Sequence, residues 1–180
     1  MKVGVVLNGG KSTRMGRDKA QLIKDGRSLL AHATSVLQSC ALDKIVESGS
    51  VAGIQDTFQH KGPVGGIYSV IHALNMQPRD ILLVVPNDMP ALKEHTLNLL
   101  LQRCIESKQS TIFSQFYLPA AIYLDEQHLA FAATIKQHRG LPLKQLLNVA
   151  PLHQIDESSV NINPNEFLNI NTPQDWKSFS

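Results

Sequence analysis

Cysteine is scarce in this chain. Cys40 and Cys104 are the two in 180 residues, and they show neither a CxxC spacing nor a paired histidine. That argues against a disulfide scaffold or a zinc knuckle and leaves two reduced thiols inside helix-like segments. Long apolar runs are missing too, since nothing approaches the roughly 18 residues that span a bilayer. The opening Met1-Lys2-Val3-Gly4 goes straight into a strand-like run, so no secretory leader is expected. Charge of one sign is not in excess. Seventeen Lys and Arg against fifteen Asp and Glu leave +2, too little for a nucleic-acid surface. Repeats and low-complexity linkers are absent. The expectation is a soluble cytoplasmic protein with neither nucleic acid nor membrane as partner, folded as a single domain over residues 1–180.

What is present is an alternation of strand-like and helix-like segments. Val3–Leu7 is short, apolar and β-branched, as in a parallel strand buried on both faces. Ser28–Gln38 carries Leu29, Leu30, Ala33, Val36 and Leu37 at helical spacing. Strands are expected at Asp43–Glu47 and Ile81–Val85, with helices at Gly66–Asn75 and Glu94–Ile105. The second half predicts a hairpin, Ser110–Gln115 with Leu118–Leu124. Helices over Glu126–Gln137 and Leu141–Leu147 follow, then short strands at Leu152–Ile155 and Phe167–Ile170. Thr172-Pro173-Gln174-Asp175 has the spacing of a capping box with proline at the first helical position. The pattern predicts an α/β fold, Rossmann-like and three-layered, with a mostly parallel sheet and an antiparallel hairpin segment. Ligands of such sheets bind beyond the carboxyl ends of the strands. That brings together the loops 8–19, 62–66 and 86–90.

The first of these loops belongs to the stretch LNGGKSTRMGRDK, residues 7–19, with three glycines and four basic side chains. It is not a P-loop, because the glycine needed five residues before Gly10 is Val5. The adjacent Gly9 and Gly10 also fail the GxGxxG spacing. The chemistry still suits phosphate: glycines let backbone N–H groups approach an anion, Arg14 can fork onto its oxygens and Lys19 can add a point charge. A solvated glycine turn is the plainer reading. In Pro86-Asn87-Asp88-Met89-Pro90, Asp88 stands just past a buried strand, where it suits either a metal–phosphate complex or a turn. Gly62-Pro63-Val64-Gly65-Gly66 suits close approach of a base or ribose at a helix N-terminus, or a strand–helix turn. Asn169 and Asn171, two apart, either meet a polar ligand or pin a cap. His60 and His95 are read as solvated or capping, and Ser12 as a turn residue or a phosphate contact.

Taken in order, Leu7-x-Gly9-Gly10-x-Ser12-x-Arg14-Met15-Gly16-x-Asp18-Lys19, Gly62-Pro63-x-x-Gly66, Pro86-x-Asp88-x-Pro90 and Asn169-x-Asn171-Thr172-Pro173 resemble the molybdenum cofactor guanylyltransferase family across nearly the whole chain. The resemblance implies a nucleotidyltransferase that joins GTP and the molybdopterin cofactor into the guanine dinucleotide cofactor, releasing pyrophosphate, with Mg²⁺. It implies Arg14, Lys19 and Asp88 as catalytic residues, with Asp88 the metal ligand. Leu7, Asn8, Gly9, Gly10, Asp56, Gly65 and Gly66 would serve the nucleotide, and Asn169 and Asn171 the pterin. Transient contact with proteins that deliver the pterin or receive the product is implied as well.

The chain departs from that family's pattern in places. Asn8 stands where Ala is usual, Asn87 where Cys or Gly is usual, and Ser48-Gly49-Ser50 replaces an asparagine-bearing strand end. Two other readings stand beside the first. Met89 resembles the related molybdopterin cytidylyltransferases, although Gly9-Gly10 and Asp18-Lys19 favour guanine. A nucleotide-binding partner without catalysis would have no need of Arg14, Lys19 and Asp88 together.

Overall fold

The computed structural model describes residues 1–8, 23–24, 27–49, 53–58, 61–135, 140–172 and 174–176. Its sheet is built from β4 (Lys44–Ser48), β1 (Lys2–Leu7), β5 (Ile81–Pro86), β7 (Phe116–Tyr123), β6 (Ser110–Phe113) and β8 (Leu152–Ile155), side by side in that order. β1 runs parallel to both neighbours, β6 and β8 are parallel, and β7 runs antiparallel between β5 and β6. The mostly parallel sheet with an antiparallel hairpin segment is therefore as the sequence predicts. A separate two-stranded ribbon, β2 (Ile23–Lys24) and β3 (Arg27–Ser28), precedes the first helix.

Strand alternation explains the layers. From β1 and β5, Val3, Val5, Leu7, Leu82 and Val84 face one core, which is completed by α2 (Pro63–Ala73) and α5 (Leu143–Leu147). Val6, Ile81, Leu83 and Val85 face the other, closed by α1 (Leu29–Gln38) and α3 (Glu94–Ser107). Both faces being covered, the central strands read as unbroken apolar runs. Cys40 and Cys104 are free and buried in the second core, and burial raises their thiol pKa to about 11 and about 12, with the charge of Glu94 a lesser cause at Cys40. Among the described residues no helix is long and apolar enough to cross a membrane.

The caps follow the sequence closely. Ser28 accepts from the Ala31 amide (3.1 Å) at the start of α1, and Asp125 from the His128 amide (2.9 Å) at the start of α4 (Glu126–Ala132). Thr172 and Asp175 make the reciprocal capping box: the Thr172 amide donates to Asp175 Oδ2 (2.7 Å), and the Asp175 amide to Thr172 Oγ1 (3.1 Å).

Two expectations are corrected. The helix expected over Glu126–Gln137 ends at Ala132: the Thr134 hydroxyl donates to the Phe131 carbonyl (2.8 Å), and Ile135 turns fully into the first core. Its last two residues lie outside the described residues. The strand expected at Phe167–Ile170 does not form. Pro164–Phe167 is a 3₁₀ turn capped by Asn163, and the chain beyond it makes no sheet ladder. The cause is Glu166, which leaves the surface to serve another element.

Glu166 is 2% exposed and accepts from Thr96 Oγ1 (2.6 Å) and from the Lys93 amide (3.2 Å). Lys93, the N-cap of α3, makes no side-chain cap of its own, so a carboxylate some seventy residues away supplies one (|i−j| = 73). His95 Nε2 lies 3.5 Å from the other oxygen. Replacing Glu166 by Ala leaves the buried Thr96 hydroxyl and the Lys93 amide without this acceptor. The expected cost is about 1–3 kcal/mol in urea-denaturation stability, and wild-type stability would show that the cap contributes nothing.

Candidate functional site

The site is set by where β1 stops. Leu7 is the last residue of β1 and stands level with Ser48 of β4 and Pro86 of β5. The residues that follow these strands therefore emerge together at one edge. The Asn8 amide donates to the Ser48 carbonyl (2.9 Å), and Asn87 Nδ2 donates to Asn8 Oδ1 (2.8 Å). Two of the positions at which the chain departs from the family pattern, Asn8 and Asn87, thus bond to one another. Asp88 follows, half-buried, and its carbonyl accepts from the Ile170 amide (2.8 Å). That bond seats the C-terminal segment against the end of β5.

A cleft of about 450 Å³ opens over this edge. Leu7, Pro63, Asp88 and Asn169 line it from four separate places in the chain. Pro63 is the first residue of α2, so that helix presents its N-terminus to the cleft. The far wall is the hairpin tip, Gln115–Leu118. Phe116 there stacks on Phe167 (centroids 4.4 Å apart, planes 14°), while Tyr117 stays 47% exposed. Sequence reading did not assign this wall to the site; the short link between the two strands was its signal.

Of the residues singled out in the sequence, Leu7, Asp88 and Asn169 line the cleft, and Asn8 adjoins it through Asn87. Gly9, Gly10, Ser12, Arg14, Lys19 and His60 lie outside the described residues. Asp56 lies beside the α2 N-terminus, where its Oδ1 accepts from the Phe58 amide (2.9 Å) and from Ser69 Oγ (3.2 Å). Asn171 donates its amide to Asp175 Oδ2 (2.8 Å), within the capping box. The two asparagines stand on an extended segment and not at a strand end, and both are exposed.

Gly65 and Gly66 are buried where α2 crosses the sheet edge. A Cβ on Gly65 would sit 2.4 Å from the Phe58 carbonyl oxygen and 3.2 Å from Asp56 Oδ1. One on Gly66 would sit 2.4 Å from Ser48 Oγ and 3.6 Å from Leu7. Gly65 thus lets α2 close onto the Phe58 backbone, and Gly66 lets it close onto the Ser48 side chain. The close approach suggested by the sequence is, in the described structure, made to the protein itself.

Among the described residues there is no group of three or more His, Cys, Asp and Glu able to cage a metal. Asp88 with the amide oxygen of Asn169, which lines the same cleft, is a hard-oxygen set. It fits a cation that keeps few protein ligands and fills its shell with water and phosphate oxygens, as Mg²⁺ does.

Residues 4–159 match the family model described as a MobA-like NTP transferase domain. A molybdenum cofactor guanylyltransferase of Xanthomonas euvesicatoria is 35% identical over 181 residues, covering 96% of this chain and 91% of that protein. Among solved structures, the molybdopterin-guanine dinucleotide biosynthesis protein A of Archaeoglobus fulgidus superposes with a TM-score of 0.70 at 20% identity. That alignment covers 99% of this chain and 96% of the other. The 2-C-methyl-D-erythritol 4-phosphate cytidylyltransferase of Thermus thermophilus superposes with a TM-score of 0.63 at 16% identity, covering 99% and 97%. The last two speak for the fold alone. Its appearance in proteins named for guanine and for cytidine shows that the fold does not choose the base.

The glycine contacts make a stability prediction. Gly65→Ala meets a backbone oxygen and should cost about 1–3 kcal/mol in urea denaturation. Gly66→Ala meets the Ser48 hydroxyl, so the double variant with Ser48→Ala should recover most of its loss. Equal stabilities for wild type and Gly65→Ala would contradict the packing role.

Proposed function

The chain belongs to the MobA-like NTP transferase family, and from that premise we propose that it transfers GMP from GTP to the terminal phosphate of molybdopterin. The observation that carries the reading is Asp88, half-buried at the end of β5 in a cleft shared with the end of β1 and with Asn169. In this reaction an oxygen of the pterin phosphate forms a bond to the α-phosphorus of GTP. The bond from that phosphorus to the bridging oxygen breaks, and pyrophosphate leaves with the electron pair. Both reactants are anions, so positioning and charge neutralisation are the main demands on the protein.

The proposed roles follow the order of the chain. The backbone of Leu7, Asn8, Gly9 and Gly10 holds guanine and ribose. Arg14 and Lys19 neutralise the triphosphate and the charge that develops on the leaving group. Gly65 and Gly66 act by letting α2 sit close, which sets the height of its N-terminus; Asp56 braces the loop leading into it. Asn169 and Asn171 serve the pterin side. Asp88 would hold the Mg²⁺, which when bound would supply positive charge to offset that of the phosphate oxygens. The reading carries with it a cytoplasmic place of action and transient contact with proteins that deliver the pterin or take the product.

The test is a binding titration of the purified protein with GTP, CTP and ATP in the presence of Mg²⁺, followed by turnover. GTP should bind more tightly than CTP or ATP. Asp88→Ala should lower kcat by roughly 100-fold or more while changing GTP affinity much less. Lys19→Ala should raise KM for GTP roughly tenfold, the worth of one charge-assisted hydrogen bond. Full turnover by Asp88→Ala would remove the metal assignment. Preference for CTP would transfer the reading to cytidylyl transfer, which Met89 favours by its place after Asp88 and at the cleft wall. Nucleotide binding without turnover would leave a binding partner.

A further inference from the structure

The main-chain link between β1 and β5 ends at the level of Leu7 and Pro86. Pro86 has no N–H to extend a ladder. Past that level the Asn8 amide donates to Ser48, continuing the pairing with β4, while the Asp88 carbonyl accepts from Ile170. The two strand ends are nevertheless tied, and side chains tie them: Asn87 Nδ2 donates to Asn8 Oδ1 at 2.8 Å, with both residues half-buried. Ser48, Asn8, Asn87, Asp88 and Ile170 thus form one continuous row across the edge of the sheet, from β4 to the C-terminal segment.

We infer that the Asn8–Asn87 hydrogen bond is a positioning clasp. It fixes the start of the loop after β1 relative to Asp88, and so couples nucleotide binding to metal binding. The inference rests on the proposed use of GTP and Mg²⁺ at this edge. Asn8 opens the segment assigned to the nucleotide, and Asn87 directly precedes the carboxylate assigned to the metal. A ligand bridging both needs their separation held to a few tenths of an ångström. A backbone ladder would hold it if it continued, and here a side-chain amide pair does so. Neither asparagine need touch the reacting atoms; each acts through the other.

The geometry makes the two side chains one unit, and that is what the experiment reads. Asn8→Ala, Asn87→Ala and the double variant are compared with wild type in two ways. The first is a double-mutant cycle in urea unfolding without ligand, which reports whether the pair interacts in solution. The second is GTP affinity by calorimetry with Mg²⁺ and with EDTA. The factor by which Mg²⁺ strengthens GTP binding should fall by roughly 2- to 10-fold in each single variant, the range of one hydrogen bond. The double variant should fall no further than either single one. Several results would overturn the clasp: losses that multiply in the double variant, an undiminished Mg²⁺ factor in either single variant, or no interaction in the unfolding cycle. If Asn8→Ala alone changed base preference, Asn8 would be a contact to the base and not a clasp. If wild-type protein gave no Mg²⁺-dependent GTP binding at all, the proposed function itself would fall, and the clasp with it.

Discussion

The rest of the structure depends on the parallel pairing of β1 with both β4 and β5. Three strands running the same way end level, at Leu7, Ser48 and Pro86. Their following residues must therefore leave the sheet at one edge. β1 and β5 are buried on both faces because helices pack on both sides, so their register cannot slip without turning apolar side chains toward the wrong layer. The cleft needs no special device of its own. It is where parallel strands release their loops, and its floor inherits the rigidity of the core below.

Around that edge the chain spends polar and small residues with economy. Gly65 and Gly66 let α2 close onto Phe58 and Ser48. Glu166, buried, completes the start of α3, and its neighbour Phe167 receives the stacked ring of Phe116 from the hairpin tip. The C-terminal segment is thus fastened to α3, to the hairpin and, through Ile170, to Asp88. This explains how a stretch with no ladder partner still carries Asn169 to the cleft. The asparagines are held by what surrounds them and not by belonging to the sheet.

The central strands were legible because a doubly buried strand has only one solution in sequence, an apolar β-branched run such as Val3–Leu7 or Ile81–Val85. The capping box at Thr172 and Asp175 was legible because it is local. The family was legible from motif spacing. What was not legible was set by distant partners. Nothing near Phe167 announces that Glu166 caps a helix begun at Glu94, so the apolar residues after it read as a strand. Gly65 and Gly66 announced close approach without saying to what. Asn8 and Asn87 read as two separate departures, because their hydrogen bond spans 79 residues of chain. The phosphate-binding character of Arg14 and Lys19 remains a sequence reading.

The central claim is that one ligand joins the ends of β1 and β5. Mn²⁺, standing in for Mg²⁺, can report this through paramagnetic broadening of backbone amide resonances in the presence of GTP. The account predicts broadening centred on Asn87 and Asp88 that extends to Leu7, Asn8 and Asn169, requires GTP for its full extent, and is lost in Asp88→Asn. Broadening centred elsewhere, or unchanged in Asp88→Asn, would contradict it.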